Sequence, residues 1–188
     1  MLDSSEGLPL DVYIMLPSCV PSTDFENSGA ILDAEDLVPL MDRDRVIGLG
    51  EMMNYPGVIK GNGDVHRKLN DFSDRRIDGH SPGLSGNDLN AYVSTGIGTD
   101  HECTTVGEMK EKLSKGMYVH IREGSATRNL DTLIKGVGTS NLRRLMFCTD
   151  DKHPKNIRNE GHINFNVKKA VRNGIDPIQA ITMATLNT

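Results

Sequence analysis

The chain has 188 residues, of which 37% are hydrophobic and 25% are charged, and these values are ordinary for a soluble globular protein with one sizeable core. The net charge of −5 at pH 7 disfavours nucleic-acid binding, which needs a basic surface. No apolar run approaches the roughly 18 residues of a membrane span, and the N-terminus lacks the basic and apolar regions of a signal peptide. We therefore expect neither a nucleic-acid nor a membrane partner.

Cysteine usage indicates the compartment. Cys19, Cys103 and Cys148 make an odd number and show no CxxC spacing, so a disulfide framework is not expected. A reducing cytoplasm is the natural location for such a chain. None of these thiols has an adjacent basic residue in the sequence, which disfavours a cysteine nucleophile.

Short apolar runs recur along the chain, and each is followed by a longer amphipathic stretch. The predicted strands are residues 11–16, 46–51, 76–80, 96–101, 117–121 and 144–148. Strands that alternate with helices predict a parallel α/β architecture. The six units recur at intervals of roughly 20 to 35 residues, which is typical of a TIM-type (βα) barrel, a fold that closes with eight. An open doubly wound sheet is the alternative.

Helices are predicted between the strands from apolar spacing and capping residues. The predicted helical segments are residues 34–42, 87–94, 105–115 and 161–174. Thr105 with Glu108 forms a capping-box pattern, and Asp176 precedes Pro177 as the cap of a last helix. Residues 57–64 are predicted to form a loop, and they contain no convincing phosphate-binding motif.

Four predicted strands end in a residue that can bind a metal ion, namely Glu51, His80, His101 and Asp150. The carboxyl ends of barrel strands converge on one face, where active sites form. Imidazole and carboxylate ligands suit Zn, Fe or Mn, and such a set can activate water for hydrolysis. For any one of these residues taken alone, a turn residue with a satisfied side chain is the alternative.

Neighbouring polar residues at the later strand ends are expected to diverge. Arg122 and Glu123 are adjacent in one strand and therefore point to opposite faces, so one of them is expected to face the site, with a surface salt bridge as the alternative. By the same alternation, only one of Asp150 and Asp151 is expected to point inward. His120 lies either inside or outside the barrel, and the sequence assigns it no role.

The strand ends carry longer motifs. These are residues 16–21 (LPSCVP), 48–54 (GLGEMMN), 78–84 (DGHSPGL), 100–104 (DHECT), 122–125 (REGS), 148–151 (CTDD) and 183–187 (MATLN). In this order they resemble the bacterial adenine deaminases of the amidohydrolase superfamily, and the resemblance covers residues 8–187. Seven motifs in one order are far more specific than an isolated histidine.

The resemblance implies hydrolysis of adenine to hypoxanthine and ammonia, a purine-salvage reaction, at a two-metal centre of Fe or Mn, with Zn also compatible. It implies Glu51 as the carboxylate that bridges the metals and takes part in catalysis. His80 and His101 would be imidazole ligands, and Asp150 a ligand and proton shuttle.

Purine contacts are implied for Arg122, Glu123 and Ser125. The partner is the small molecule adenine, and residues 1–188 are expected to form a single catalytic barrel domain.

Two departures from the family pattern shape the expectation for this chain. The family's first strand carries a His-x-His pair, whereas the first histidine here is His66 and no such pair occurs. The chain resembles an internal fragment from the third to the eighth barrel strand, with the first two strands missing. Open barrel edges predict marginal stability and association into a homo-oligomer.

Deaminase activity of the chain alone is therefore expected to be weak or absent. Two alternatives stay open at this point. The chain is either a non-catalytic truncated remnant or an amidohydrolase that acts on another cyclic amide or amidine.

Overall fold

The structure, a computed structural model, describes residues 2–23 and 25–188. Strands and helices alternate along this part of the chain. The strands are β1 (Ile14–Leu16), β2 (Val46–Met52), β3 (Arg76–Gly79), β4 (Thr99–Asp100), β5 (Tyr118–Arg122) and β6 (Leu145–Cys148). The helices are α1 (Ala34–Leu37), α2 (Tyr55–Lys60), α3 (Gly63–Asp71), α4 (Gly86–Ser94), α5 (Val106–Ser114), α6 (Leu130–Leu133), α7 (Pro154–Glu160), α8 (Ile163–Arg172) and α9 (Pro177–Ala184). Short 3-10 turns span Asp3–Ser5, Val38–Leu40, Ile134–Gly136 and Leu142–Arg144.

The chain divides into two compact units. The first unit comprises residues 1–80 and 90–98, and the second comprises residues 81–89 and 99–188. Each unit contains one three-stranded parallel sheet, in the order β1-β2-β3 and β4-β5-β6. The predicted parallel α/β architecture is therefore confirmed. Barrel closure and the single domain over residues 1–188 stay predictions.

The sheet of the first unit depends on close backbone contact around β2. A side chain at Gly48 would place its Cβ atom 2.1 Å from the carbonyl oxygen of Arg76 on the neighbouring strand, so only glycine fits there. Leu49 and Met52 are fully buried, and Phe72 from the end of α3 is buried in the same unit. These contacts fix the position of β2, in which Glu51 is the penultimate residue.

The second unit has an aliphatic core between its sheet and helices. Val119 and Ile121 of β5 pack with Leu145 and Phe147 of β6 in one buried cluster, as period-two alternation requires. The helices α8 and α9 contact each other, and both contact β6. The predicted cap Asp176 is confirmed, because its Oδ1 accepts from the Ile178 amide at 2.9 Å.

The predicted loop over residues 57–64 is wrong, because α2 and α3 occupy most of it. Asn54 caps α2 by accepting from the Gly57 amide, and Asn62 caps α3 by accepting from the Val65 amide. Between the two helices, Gly61 adopts a left-handed conformation with φ of 75°. The glycines that suggested a loop therefore mark helix ends, where glycine is favoured.

Two other helix predictions need adjustment. The predicted helix over residues 34–42 shortens to α1, which is followed by the 3-10 turn that contains Pro39, as expected where proline removes a backbone donor. Thr105 caps α5 as predicted, because its hydroxyl accepts from the Glu108 amide. The Glu108 carboxylate, however, accepts from the amide of Thr104 and not from that of Thr105. Within the part of the chain that the structure describes, no helix is both long and apolar enough to cross a bilayer.

Candidate metal centre

In the first unit, two of the predicted ligands lie side by side at the ends of neighbouring parallel strands. Glu51 is the penultimate residue of β2, and His80 directly follows β3. Their side chains approach to 3.5 Å between Oε2 of Glu51 and Nδ1 of His80. Adjacent parallel strands thus bring a carboxylate and an imidazole together, as the strand-end pattern predicted.

Tyr92 of α4 fixes the backbone beside both of these residues. Its fully buried hydroxyl donates to the Met52 carbonyl at 2.8 Å and accepts from the His80 amide at 2.9 Å. A buried tyrosine needs such partners. Sequence reasoning missed this role, because an apolar-spaced tyrosine in a helix looks like an ordinary core residue. On the other side, the Ser18 hydroxyl donates to the Glu51 carbonyl at 2.5 Å.

A cavity of about 400 Å³ opens beside Glu51 in the first unit, a volume within the range of small-molecule sites. Its walls mix carboxylates with sulfur-containing side chains. Glu51 and Asp78 supply the acidic groups, and Met15, Cys19 and Met53 supply the sulfur atoms. The cavity therefore combines a polar edge with apolar walls, as small-molecule pockets commonly do.

In the second unit, three further ligand groups converge. His101 follows β4, and Asp150 lies two residues after β6. One ligand atom each from His101, Glu102 and Asp150 lies within 4.8 Å of the others. His101 Nε2 is 3.5 Å from Glu102 Oε1. Glu102 was not predicted, and its place directly after His101 in the DHECT motif was the signal that could have found it.

Arg122, the last residue of β5, joins the two carboxylates of this cluster. Its Nη1 donates both to Oε1 of Glu102 and to Oδ2 of Asp150. Burial lowers the pKa of Arg122, but these hydrogen bonds outweigh it and raise that pKa above its ordinary value. Of the neighbours Arg122 and Glu123, one of which was expected to face the site, Arg122 is the one that reaches this cluster, and its guanidinium lies between two acids.

Asp150 itself has an unusual backbone, with φ of 46° in the left-handed region. Aspartate tolerates this region better than most residues, and such conformations cluster at functional sites. The turn directs the Asp150 carboxylate to Arg122 while the next carboxylate points elsewhere. Asp151 accepts from the amides of Ser125 at 3.0 Å and Ala126 at 2.7 Å, so the predicted divergence of this pair is observed.

The loop that follows β5 is built around Asp151. Desolvation raises the pKa of Asp151, but the amide hydrogen bonds from the loop outweigh this effect and lower it below its ordinary value. A Cβ atom at Gly124 would lie 1.6 Å from Asp151 Oδ1, so glycine is required there. Ser125, a predicted purine contact, donates from its hydroxyl to Asn156 and accepts from the amide of His153.

Glu123 points away from Arg122, as alternation requires. Its carboxylate is fully buried and accepts from Lys169 Nζ at 2.8 Å. It also accepts from the Leu130 amide at 3.3 Å. The structure therefore brings Arg122 into the ligand cluster of the second unit but does not bring Glu123 there. His120 is half-buried on β5.

Comparison with known proteins places these residues in a family. The model of the amidohydrolase family matches residues 1–188, the whole chain. This chain belongs to the amidohydrolase family.

Comparison with individual relatives is more specific than the match to the family model. An adenine deaminase of Clostridium acetobutylicum is 54% identical over 189 residues. An adenine deaminase of Nitratidesulfovibrio vulgaris is 55% identical over 189 residues, and one of Kosmotoga olearia is 50% identical over 191 residues. Each match covers 100% of this chain and 33% of the relative. The chain thus spans about a third of the length of the curated relatives that it matches.

Membership of the amidohydrolase family implies a metal cofactor, and the residues present fit one. Imidazole and carboxylate groups are the ligands that Zn, Fe and Mn share. Glu51 with His80 in the first unit, and His101 with Glu102 and Asp150 in the second, supply this donor set. In the second cluster two carboxylates share the one guanidinium of Arg122, so their combined negative charge is only partly balanced by it.

Proposed function

We propose that this chain carries active-site residues of an adenine deaminase, which hydrolyses adenine to hypoxanthine and ammonia in purine salvage. The observation that carries the proposal is the convergence of His101, Glu102 and Asp150 on Arg122 at the ends of parallel strands. The names of relatives that are 50–55% identical over the whole chain support the substrate.

In this proposal the residues that would hold the metal are Glu51, His80, His101 and Asp150, and Glu51 would also take part in catalysis. Mn or Fe is the proposed metal, and Zn is compatible with the same donors. When bound, the metal lowers the pKa of water towards neutrality and so makes a nucleophile available at physiological pH. The close approach of Glu51 to His80 supports their assignment as neighbouring ligands.

Asp150 is the proposed proton carrier. It takes up the proton released from water and delivers it to the exocyclic nitrogen of adenine, which then departs as neutral ammonia. Arg122 holds Oδ2 of Asp150, so Oδ1 is the oxygen that we assign to the proton. The Asp150 side chain is about one-third exposed beside a buried guanidinium, which supports access of water and substrate to its carboxylate.

Substrate contacts are proposed for Arg122, Glu123 and Ser125. Arg122 is the best supported of the three, since it lies in the ligand cluster. The engagement of Glu123 with Lys169 and of Ser125 with Asn156 supports an indirect contribution, in which these two residues shape the loop beside the purine.

We propose that the two parallel sheets form part of a TIM-type barrel, that the protein works in the cytoplasm, and that it forms a homo-oligomer. The odd number of cysteines, without CxxC spacing, supports a reducing compartment. Adenine is the proposed partner, and the acidic composition supports the absence of a nucleic-acid partner.

The test uses a chimera in which this chain replaces the matching segment of a longer relative. Because its 188 residues hold no His-x-His pair, we would replace the aligned 189-residue segment of the Clostridium acetobutylicum adenine deaminase with this chain. The Mn(II)-loaded chimera is offered adenine, guanine, cytosine and a hydantoin, and the products are separated by chromatography. We expect hypoxanthine from adenine and little turnover of the other rings.

The unmodified relative is the positive control for the assay. A folded, metal-loaded chimera that turns over a cyclic amide but not adenine would reassign the substrate. A folded, metal-loaded chimera that turns over none of the four would reject a catalytic role for this chain.

A further inference from the structure

A fully buried ion pair lies in the second unit beside the candidate ligands. The side chains of Asp100 and Lys112 are both 0% exposed, and Lys112 Nζ lies 2.9 Å from Asp100 Oδ2. Asp100 is the last residue of β4 and directly precedes His101, whereas Lys112 comes from α5. Neither residue has a role in the proposed deamination.

The pair hydrogen-bonds the backbone next to two candidate ligands. Asp100 Oδ2 accepts from the amide of Glu102 at 2.9 Å, which fixes the turn that carries His101. Asp100 Oδ1 accepts from both the amide and the hydroxyl of Ser81, at 2.9 Å each. Lys112 donates to the Ser81 carbonyl at 2.7 Å. Every polar group of Ser81, the residue that follows His80 in the sequence, is therefore held by this pair.

Other side chains of α5 hold the same loop. Glu108 accepts from Lys112 at 3.1 Å and from the amide of Gly83 at 3.0 Å. Glu111 accepts from the amide of Gly86 at 2.8 Å. The helix thus fixes the loop after His80 through three successive contacts, and Lys112 lies at their buried end.

Stability alone does not account for such a pair. Removing two charges from water is expensive, and well-packed apolar side chains of similar volume are often as stable or more so. A buried pair of this kind therefore indicates a demand on local geometry. The backbone that it fixes carries His101 and Glu102, whose ligand atoms must hold a set position to bind a cation.

We infer that Asp100 and Lys112 are positioning residues for the metal site, and that they raise its affinity for a divalent cation by fixing the turn that carries His101 and Glu102. This inference rests on the proposed assignment of His101 as a ligand. Partners one step removed from a metal typically change its affinity by about 10- to 100-fold when they are replaced.

The test measures Mn(II) binding to the full chain by calorimetry, together with the visible spectrum of the Co(II) form. Lys112→Met is expected to weaken Mn(II) binding by about 10-fold or more and to alter the Co(II) spectrum. Lys110→Met, on the exposed side of the same helix, is the matched control and should bind Mn(II) like the parent chain.

A double variant separates positioning from folding. Lys112→Met alone leaves the Asp100 carboxylate buried without its counter-charge, which is strongly destabilising. Asp100→Asn with Lys112→Met removes both charges, so its thermal stability should return towards that of the parent. Its Mn(II) affinity should stay low, because the carboxamide keeps only one acceptor oxygen and so cannot accept from both the Ser81 amide and the Glu102 amide, as Asp100 does.

Parent-like Mn(II) affinity in the folded double variant would overturn the inference, and so would failure of the parent chain to bind Mn(II). Adenine turnover is read separately in the chimera. If the chimera shows no adenine deamination, the proposed function is rejected. If the variants nevertheless lose Mn(II) affinity, the positioning role of Asp100 and Lys112 stands.

Discussion

Arg122 and Asp150 form an ion pair in which Nη1 of the guanidinium donates to Oδ2 of the carboxylate. The same Nη1 also donates to Glu102, so one cationic group lies between two acids at the carboxyl end of a parallel sheet. The guanidinium is almost fully buried, whereas Asp150 is about one-third exposed. A cation bound by Asp150 and Glu102 would therefore share its ligands with Arg122.

Replacement of Arg122 tests this shared charge balance. Arg122→Met leaves two acids without a counter-charge, and we expect the free energy of unfolding to fall by about 2 kcal/mol in metal-free buffer, a value reduced for the partial exposure of Asp150. Added Mn(II) should restore much of that loss, because it supplies positive charge to the same carboxylates. Urea unfolding with and without Mn(II) measures both values. Arg143→Met, at an exposed position, is the control, and an equal loss in the presence of Mn(II) would contradict the prediction.

Tyr92 provides a prediction for the first unit. Tyr92→Phe keeps the ring but removes the hydroxyl that joins the Met52 carbonyl to the His80 amide. Two buried backbone groups lose a partner, so we expect a loss of about 2 kcal/mol in unfolding free energy. We also expect weaker Mn(II) binding, because the Met52 carbonyl lies next to Glu51 in the chain and the amide belongs to His80. Tyr13→Phe, at an exposed position, should change neither quantity.

Glu123 distinguishes a structural from a substrate-binding role. Its buried carboxylate accepts from Lys169 and from the Leu130 amide, so Glu123→Gln should lower the unfolding free energy by about 2 kcal/mol. In the chimera, the KM for adenine should change by less than about 3-fold if the carboxylate acts only through the loop, a difference below 1 kcal/mol. A large rise in KM without loss of stability would instead favour direct purine contact. Asp131→Asn, which removes an exposed partner of Lys169, is the comparison.

Glu160 makes stability depend on acid pH. Hydrogen bonds from Arg128, Lys152 and Asn156 lower its pKa from 4.5 to about 2. Because the folded pKa is depressed, the stabilisation is complete above pH 4.5 and is lost as the pH falls towards 2. The unfolding free energy of the parent should therefore decrease more steeply across this range than that of Glu160→Gln. Urea unfolding at several pH values checks this, with the exposed Glu6→Gln as control; equal slopes in parent and Glu160→Gln would refute it.

The spacing of apolar residues and the residue types at the strand ends predicted much of the fold from the sequence. All six strands lie where the apolar runs indicated, and the four metal-competent strand ends were identified because a parallel sheet exposes such ends together. The loop predicted at residues 57–64 failed because Gly61 and Gly63 mark helix boundaries, which composition alone does not distinguish from a turn.

The residues that support the site from the second layer of contacts could not be predicted from the sequence, for a different reason. Lys112 reads as one charged residue on an amphipathic helix, and only the three-dimensional structure reveals that it is fully buried against Asp100. Tyr92 was likewise missed, because Met52, whose carbonyl accepts from its hydroxyl, is 40 residues away in the sequence. Long-range pairing of polar groups leaves no local pattern, whereas strand ends and caps do.

The most direct test of the proposed reaction is ammonia release from adenine by the Mn(II)-loaded chimera and its Asp150→Asn variant. Asparagine keeps a similar shape but cannot carry a proton between water and the departing nitrogen, so we expect the rate to fall by at least about 100-fold. Asp74→Asn, at an exposed position, is the control for the same chemical change and should retain most of the activity. Equal rates for the parent and the Asp150→Asn chimera would contradict the assignment of Asp150 and, with it, the proposed site.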